Sequence, residues 1–141
     1  EMLILEVTET TAMSNPDESV RVLTELTNAG VKASIDDFGT GYSSLLYLKR
    51  LPACELKIDR AFVKELSGES EDATIVSAIV ALAKTLNLKV VAEGVETEAQ
   101  QAFLTELGCN TLQGYLLGKP VSAQTIETLC EQGEILPDTE S

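Results

Sequence analysis

The chain has 141 residues, of which 10 are basic and 23 are acidic, and its formal net charge is −13. This charge disfavours nonspecific attraction to nucleic acid or to an anionic membrane surface, so we expect no nucleic-acid polymer as a partner. A phosphate-bearing substrate would need bound cations as intermediaries. The chain contains no histidine, which excludes Ser/His/Asp and Cys/His catalysis and zinc sites that use imidazole. Any chemistry must therefore use carboxylates, lysine, hydroxyl groups or metal-bound water.

The cysteines and the hydropathy pattern indicate a soluble domain. Cys54, Cys109 and Cys130 are odd in number and far apart, which suggests neither a disulfide framework nor a zinc motif and fits a reducing cytoplasm. We expect buried, inert thiols. No run approaches the roughly 18 uncharged apolar residues of a membrane span, and no signal-peptide pattern is present. The sequence predicts a cytoplasmic domain, whose parent protein could still be anchored to a membrane through upstream segments.

Short apolar runs alternate with segments of helical periodicity along the chain. Asn15 and Pro16 are typical of an N-cap followed by proline at the first helical position, and Thr97 to Gln100 fits a capping box. Residues 37–44 are rich in glycine and hydroxyl side chains and predict a loop. The predicted strands cover residues 3–6, 31–36, 54–58, 89–92 and 111–114. The predicted helices cover residues 16–29, 45–51, 72–87, 98–107 and 123–131, and residues 136–141 are expected to form a flexible tail.

Five strands that alternate with helices favour a parallel sheet with right-handed crossovers. Two architectures fit: an open doubly wound sheet, or five-eighths of a TIM-type (β/α)8 barrel, which usually takes roughly 250 residues. The sequence contains neither a GxGxxG nor a GxxxxGK phosphate loop, and this weakens the nucleotide-binding open sheets. Polar residues lie at the strand ends, where barrel enzymes carry their catalytic groups. The pattern therefore favours the α/β barrel.

Acidic side chains at several strand ends suggest a metal site. Glu6, Asp36, Asp37 and Glu93 would repel one another in a partly dry site, and a cation would hold them together. Ligands that are all oxygen select Mg²⁺ or Mn²⁺. The period-2 alternation of a strand would make the two adjacent aspartates diverge and serve two ions, as in enzymes that hydrolyse phosphoesters. Lys57, on the neighbouring strand, could orient an attacking water or balance the charge of a phosphate.

Each of these residues also has a purely structural interpretation. A single acid at the end of a strand more often caps the next helix or lies in a solvated loop. The two adjacent aspartates, followed by Gly39, could form only a turn. Lys57 could be a structural partner of Asp59 or Glu55, and Asp59 could cap a helix. Gln113 could belong to a plain turn. The recurrence of acids at four strand ends nevertheless favours a common site.

Five ordered segments resemble the signature segments of the EAL-domain cyclic di-GMP phosphodiesterases. The resemblance runs from residue 3 to about residue 120 and implies that the chain supplies about the last five strand–helix units of a TIM-type barrel. We expect residues 1–135 to be the C-terminal portion of such a domain. The matching segments are EVTE at residues 6–9, DDFGTG at 36–41, LKID at 56–59, AEGVE at 92–96 and QGY at 113–115.

The resemblance implies roles for the acidic residues. Glu6 and Asp36 match metal ligands, and Asp37 matches a ligand of a second metal site. Glu93 matches a metal-site glutamate that is also proposed as the general base. Glu9 resembles a glutamate that steadies the loop at residues 37–44, which in this family couples the metal site to dimerisation. The implied cofactors are therefore Mg²⁺ or Mn²⁺, as two ions, and the implied assembly is a homodimer or a higher oligomer.

The resemblance also implies a reaction. Lys57 matches the lysine that contacts the catalytic water, and Gln113 matches a glutamine that lines the site. The implied reaction is the metal-dependent hydrolysis of one phosphodiester bond of cyclic di-GMP to give linear pGpG. A non-catalytic EAL-type module that senses the nucleotide or binds a protein is the alternative, and a Schiff-base aldolase that uses Lys57 is a third possibility.

The family segments that carry the Glu-Ala-Leu motif, an arginine and a metal-binding asparagine precede the segment that matches Glu6. We therefore expect the chain to be part of a larger protein that carries upstream sensory or GGDEF domains. The 141-residue chain by itself is expected to lack turnover.

Overall fold

The computed structural model describes residues 3–66 and 70–133. The predicted tail at residues 136–141 lies outside these described residues. Five strands and seven helices alternate over the described parts of the chain. The strands are β1 (Ile4–Thr8), β2 (Lys32–Phe38), β3 (Glu55–Ile58), β4 (Lys89–Glu93) and β5 (Thr111–Gln113). The helices are α1 (Glu9–Ser14), α2 (Pro16–Asn28), α3 (Leu45–Arg50), α4 (Arg60–Lys64), α5 (Glu71–Thr85), α6 (Glu98–Leu107) and α7 (Ala123–Glu131).

The five strands form one parallel sheet in the order β1-β2-β3-β4-β5. Strands that are neighbours in the sheet also follow one another along the chain. The helices between two strands return the chain to the end of the sheet where the previous strand began. All five C-terminal strand ends therefore lie along one edge of the sheet. This is the arrangement that the alternation of apolar runs and helical segments predicts.

The two faces of the sheet differ in chemistry because successive side chains on a strand point to opposite faces. Leu56 and Ile58 of β3 are fully buried among apolar side chains, and the intervening Lys57 faces the other side. The same alternation places Ala92 in the core and Glu93 on the polar face. The apolar face is covered and forms the core of the molecule. The opposite face carries the charged residues, which become more numerous toward the C-terminal edge.

Helix ends follow the capping signals in the sequence. The Asn15 side chain accepts a hydrogen bond from the backbone of Glu18 at the start of α2. Thr97 and Gln100 form the predicted capping box of α6, and Gly108 ends this helix in the left-handed conformation with φ of 89°. These predicted boundaries are confirmed.

Two short helices were not predicted. Helix α1 has six residues and α4 has five, which is too short for a hydrophobic periodicity to be visible. The Thr8 side chain caps α1 by accepting a hydrogen bond from Thr11 N, and Asp59 caps α4 by accepting one from Ala61 N. Both helices begin directly after a strand, so they fix the backbone just beyond the functional edge of the sheet.

The cysteines are free thiols, as the spacing predicts, but they differ in environment. Cys54 and Cys109 are partly buried, and burial raises the pKa of Cys109 to about 11. Cys130 is exposed on α7, so the expectation of buried thiols is wrong there.

No helix within the described ranges is long and apolar enough to cross a membrane.

The capping box of α6 gives a test of this fold. Thr97→Ala removes the acceptor for Gln100 N and should lower the free energy of unfolding by about 1 kcal/mol. Thr105→Ala is the matched control, because Thr105 is exposed in the same helix and should change stability by less than about 0.5 kcal/mol. Chemical denaturation measures both changes. An equal effect of the two substitutions would contradict the capping role of Thr97.

Candidate metal centre and nucleotide site

The sheet brings the predicted site residues to one edge. Glu6 lies on β1, Asp36 and Asp37 on β2, Lys57 on β3 and Glu93 on β4. In the parallel register Thr8 lies opposite Asp36, and Ile58 lies opposite the residue that precedes Glu93. Four neighbouring strands therefore bring these five charged side chains to the C-terminal part of the sheet. They are not level, because Glu6 lies opposite Ser34 and Lys57 lies opposite Val91.

Lys57 is the centre of this group. It is only 5% exposed, and its Nζ donates hydrogen bonds to Glu6 Oε1 at 2.7 Å and to Glu93 Oε1 at 2.8 Å. Asp36 Oδ1 lies 3.9 Å from the same nitrogen. The alternative partner Glu55 instead accepts a hydrogen bond from Ser34 Oγ. Lys57 therefore connects its own strand, β3, to β1, β2 and β4 through one ammonium group.

The ammonium of Lys57 is held in its charged form. Burial by itself would lower the pKa of this lysine, but the hydrogen bonds to Glu6 and Glu93 and the charge of Asp36 outweigh burial, and the net effect raises the pKa. Lys57 is thus a cation throughout the physiological range. A Schiff-base aldolase needs a neutral amine as its nucleophile, so this environment argues against the aldolase interpretation.

The backbone of β2 is irregular at the two aspartates. Asp37 has φ of 53°, a left-handed conformation that non-glycine residues rarely adopt, and the pairing with β3 shifts register between Ile35 and Phe38. This irregularity cancels the alternation that would send the two carboxylates to opposite faces. Oxygen atoms of Asp36, Asp37 and Glu93 lie within 4.8 Å of one another. The prediction that the two aspartates diverge is therefore wrong, and the three carboxylates form one acidic cluster.

The electrostatics of the acidic cluster favour a bound cation. Burial, the negative charge of Asp36 and the nearby carboxyl group of Asp59 together raise the pKa of Asp37. Burial also raises the pKa of Glu93, and Lys57 offsets only part of this effect. Both shifts mean that ionisation costs free energy in the metal-free protein. A donor set of three converging carboxylates fits a hard divalent ion such as Mg²⁺ or Mn²⁺.

Asp59 belongs to the site as well as to the cap of α4. Its Oδ1 accepts a hydrogen bond from Ala61 N at 2.8 Å, and its carboxyl group is close enough to Asp37 to help raise the pKa of that residue. The sequence predicts this residue mainly as a helix cap. A signal was available, because Asp59 follows Lys57 by two residues and therefore shares its face of the strand.

Glu9 lies against the loop that follows β2. This glutamate is only 2% exposed, and its Oε2 accepts hydrogen bonds from Gly39 N at 3.1 Å and Gly41 N at 2.8 Å. Its Oε1 accepts a hydrogen bond from Ser43 Oγ. One buried carboxylate therefore satisfies three donors of the loop that begins at the acidic cluster.

Gln113 lies beside Glu93 in the register of β4 and β5. Both residues line a cavity of about 240 Å³ at the C-terminal edge of the sheet. The cavity adjoins the acidic cluster through Glu93 and is also lined by Gly114 and Tyr115, which follow β5. A ligand in this cavity would reach both the carboxylates and the amide of Gln113.

A family model described as the EAL domain matches residues 1–120. The chain belongs to the EAL domain family. It is 70% identical over 124 residues to MucR of Pseudomonas aeruginosa, which is described as a bifunctional diguanylate cyclase/cyclic di-GMP phosphodiesterase. It is 51% identical over 125 residues to the cyclic di-GMP phosphodiesterase NbdA of the same organism. These alignments cover 88% and 89% of the chain but only 18% and 16% of the relatives.

Solved structures agree with the family. The PaMucR phosphodiesterase in complex with c-di-GMP gives a TM-score of 0.85 at 70% identity, over 88% of this chain and 50% of the other. The EAL domain of Mycobacterium smegmatis DcpA also gives 0.85, at 46% identity, over 95% of this chain and 60% of the other. Klebsiella pneumoniae BlrP1, crystallised with manganese and cyclic di-GMP, gives 0.73 at 39% identity, over 83% and 30%. The predicted TIM-type α/β fold is thereby confirmed, since EAL domains have this fold.

Asp37→Asn separates the charge of the acidic cluster from its backbone geometry, because asparagine also tolerates positive φ. The raised pKa of Asp37 means that its ionisation destabilises the folded protein above the ordinary carboxyl value of 3.8. The variant should therefore be slightly more stable than the unaltered protein at neutral pH without metal, by less than about 1 kcal/mol, because Asp37 is partly exposed and solvent screens the repulsion. This gain should disappear as the pH falls toward 3.8.

The same variant should gain less stability from Mn²⁺, because one carboxylate ligand is lost. Thermal unfolding with EDTA and with Mn²⁺ measures both effects. Glu127→Gln, at an exposed position in the middle of α7, is the control and should change neither. A variant that is less stable without metal, or that responds fully to Mn²⁺, would contradict the role of Asp37 in the cluster.

Proposed function

We propose that the domain to which this chain belongs hydrolyses cyclic di-GMP to linear pGpG in a reaction that depends on Mg²⁺ or Mn²⁺. The observation that carries this proposal is the buried Lys57 ammonium between Glu6 and Glu93, directly beside the acidic cluster. The names of the relatives support the same reaction, since MucR and NbdA are described as cyclic di-GMP phosphodiesterases.

The acidic cluster would hold the metal. Asp36, Asp37 and Glu93 supply three carboxylates that already converge, and Glu6 is half-exposed and adjacent through Lys57. We propose that Glu6 and Asp36 serve one ion and Asp37 a second. When bound, such ions lower the pKa of water and stabilise negative charge on a phosphoryl group. The calcium and manganese complexes of BlrP1 with cyclic di-GMP fit a divalent site in this family.

The chain's own residues orient the substrate and move the proton. Lys57 Nζ, fixed by two carboxylates, can donate a hydrogen bond to the attacking water or to a phosphoryl oxygen. Glu93 can accept the proton of that water on a carboxylate oxygen, because its raised pKa makes it a better base than an ordinary glutamate. Gln113, beside Glu93 at the cavity, can bind the nucleotide through its amide.

Assembly and domain context are further parts of the proposal. Residues 1–135 would form the C-terminal portion of an EAL domain within a larger cytoplasmic or membrane-anchored protein that carries sensory or GGDEF domains. The low coverage of the relatives supports a multidomain parent. A homodimer or higher oligomer would form near the loop steadied by Glu9. Tyr42 in this loop is fully exposed, and Leu45 and Leu46 after it are 62% and 66% exposed.

Turnover of cyclic di-GMP by the intact protein tests the proposal. With Mg²⁺ or Mn²⁺ we expect pGpG as the product, and EDTA should abolish its formation. Glu93→Gln and Lys57→Met should each lower kcat by about 10²-fold or more. Glu98→Gln, on the exposed first turn of α6, is the control and should leave kcat unchanged. Binding of cyclic di-GMP without any hydrolysis would instead favour the non-catalytic module.

A further inference from the structure

The cavity beside the acidic cluster is lined partly by residues that have no role in the proposed reaction. Arg60 and Glu96 line it together with Glu93, Gln113 and Tyr115. Its volume of about 240 Å³ is below the roughly 300–1,000 Å³ of pockets for drug-sized ligands. The cavity therefore fits one part of a cyclic dinucleotide, such as a single base, better than the whole molecule.

The position of Arg60 is fixed by the backbone of its neighbour. Gly94 has φ of 76°, and a Cβ atom on Gly94 would lie 2.6 Å from the Cβ of Arg60. Only glycine combines this conformation with this close approach. The first residue of α4 is thereby pressed against the turn that follows β4. This contact holds the start of the Arg60 side chain at the cavity that Arg60 lines.

The guanidinium of Arg60 is free to bind a ligand. Over residues 3–66 and 70–133, Arg60 forms no ion pair and no side-chain hydrogen bond, although Glu93 and Glu96 line the same cavity. The other two arginines of the chain do form ion pairs, Arg21 with Glu18 and Arg50 with Asp17. Arg60 is therefore the arginine without an ion-pair partner among the described residues. It lines the same cavity as Glu93 of the acidic cluster.

The chemistry of the cavity suits a guanine base better than a phosphate. Glutamates around the cavity repel a phosphate, whereas guanine is neutral and has two different edges. Its O6 and N7 accept hydrogen bonds, which guanidinium donors satisfy in pairs, and its N1–H and N2–H₂ groups donate hydrogen bonds, which a carboxylate or a Gln carbonyl accepts. Adenine presents an N6 donor in place of O6 and would face the donors of Arg60 with its own donor.

We propose that Arg60 is a specificity-determining residue that binds O6 and N7 of one guanine of the substrate. This inference rests on the proposed function, because it takes cyclic di-GMP as the ligand. Arg60 does not contact the reacting phosphate in this account. Its loss should therefore weaken binding and raise KM more than it lowers kcat.

Equilibrium binding to the intact protein tests this proposal. Dissociation constants are measured with Ca²⁺ for cyclic di-GMP and for its 7-deaza analogue, which lacks the N7 acceptor, and chromatography checks that the recovered ligand is intact. The unaltered protein should bind the 7-deaza analogue about tenfold more weakly than cyclic di-GMP. Arg60→Gln should bind cyclic di-GMP about 5- to 150-fold more weakly and should lose the preference between the two ligands.

Arg50→Gln is the matched control, because it removes one arginine charge at the end of α3, where Arg50 pairs with Asp17 and does not line the cavity, and it should leave both constants unchanged. If Arg60→Gln weakens both ligands by the same factor, Arg60 binds phosphate and the proposal is wrong. An unchanged dissociation constant in Arg60→Gln would also overturn it. Binding by the unaltered protein without hydrolysis would contradict only the phosphodiesterase reaction, whereas the absence of binding would contradict both proposals.

Discussion

The charge balance around Lys57 is the constraint on which the site depends. Four parallel strands deliver acidic groups to one edge, and like charges this close destabilise a folded chain. Lys57 offsets that cost with one buried ammonium, which Glu6 and Glu93 hold from two sides. The compensation is partial, because the pKa of Glu93 and that of Asp37 remain raised. The residual repulsion is what a divalent cation would relieve.

Backbone irregularities near the strand ends bring together functional groups that a regular sheet alone would keep apart. The left-handed Asp37 turns a strand end into a cluster of three carboxylates, and Gly94 brings the first residue of α4 against the turn after β4. Glu9 then holds the loop after β2 through two backbone donors and a hydroxyl. Each irregularity lies within a few residues of a C-terminal strand end. The regular core supplies the frame, and these exceptions place the functional groups.

The sequence predicts correctly those elements whose signals lie within a few neighbouring residues. The apolar runs, the capping box at Thr97 and the acids at the strand ends predict the sheet, the helix boundaries and the acidic side chains that gather at the C-terminal edge of the sheet. The convergence of Asp36 and Asp37 was not predictable, because it depends on a register shift between two strands and a positive φ. The dual role of Asp59 was also missed. A side chain that caps a helix and also raises the pKa of a nearby carboxyl group is recognised only once the fold brings Asp37 near it.

The most direct test of this account is the stability of Lys57→Met with and without metal. In EDTA the variant leaves the carboxylates without their cation, and we expect a loss of about 3 kcal/mol in the free energy of unfolding. In saturating Mn²⁺ the loss should be clearly smaller, because the metal then supplies positive charge. Lys49→Met, at an exposed position of α3, should be neutral in both conditions. An equal loss for Lys57→Met with EDTA and with Mn²⁺ would show that Lys57 does not balance the negative charge that a bound metal ion neutralises.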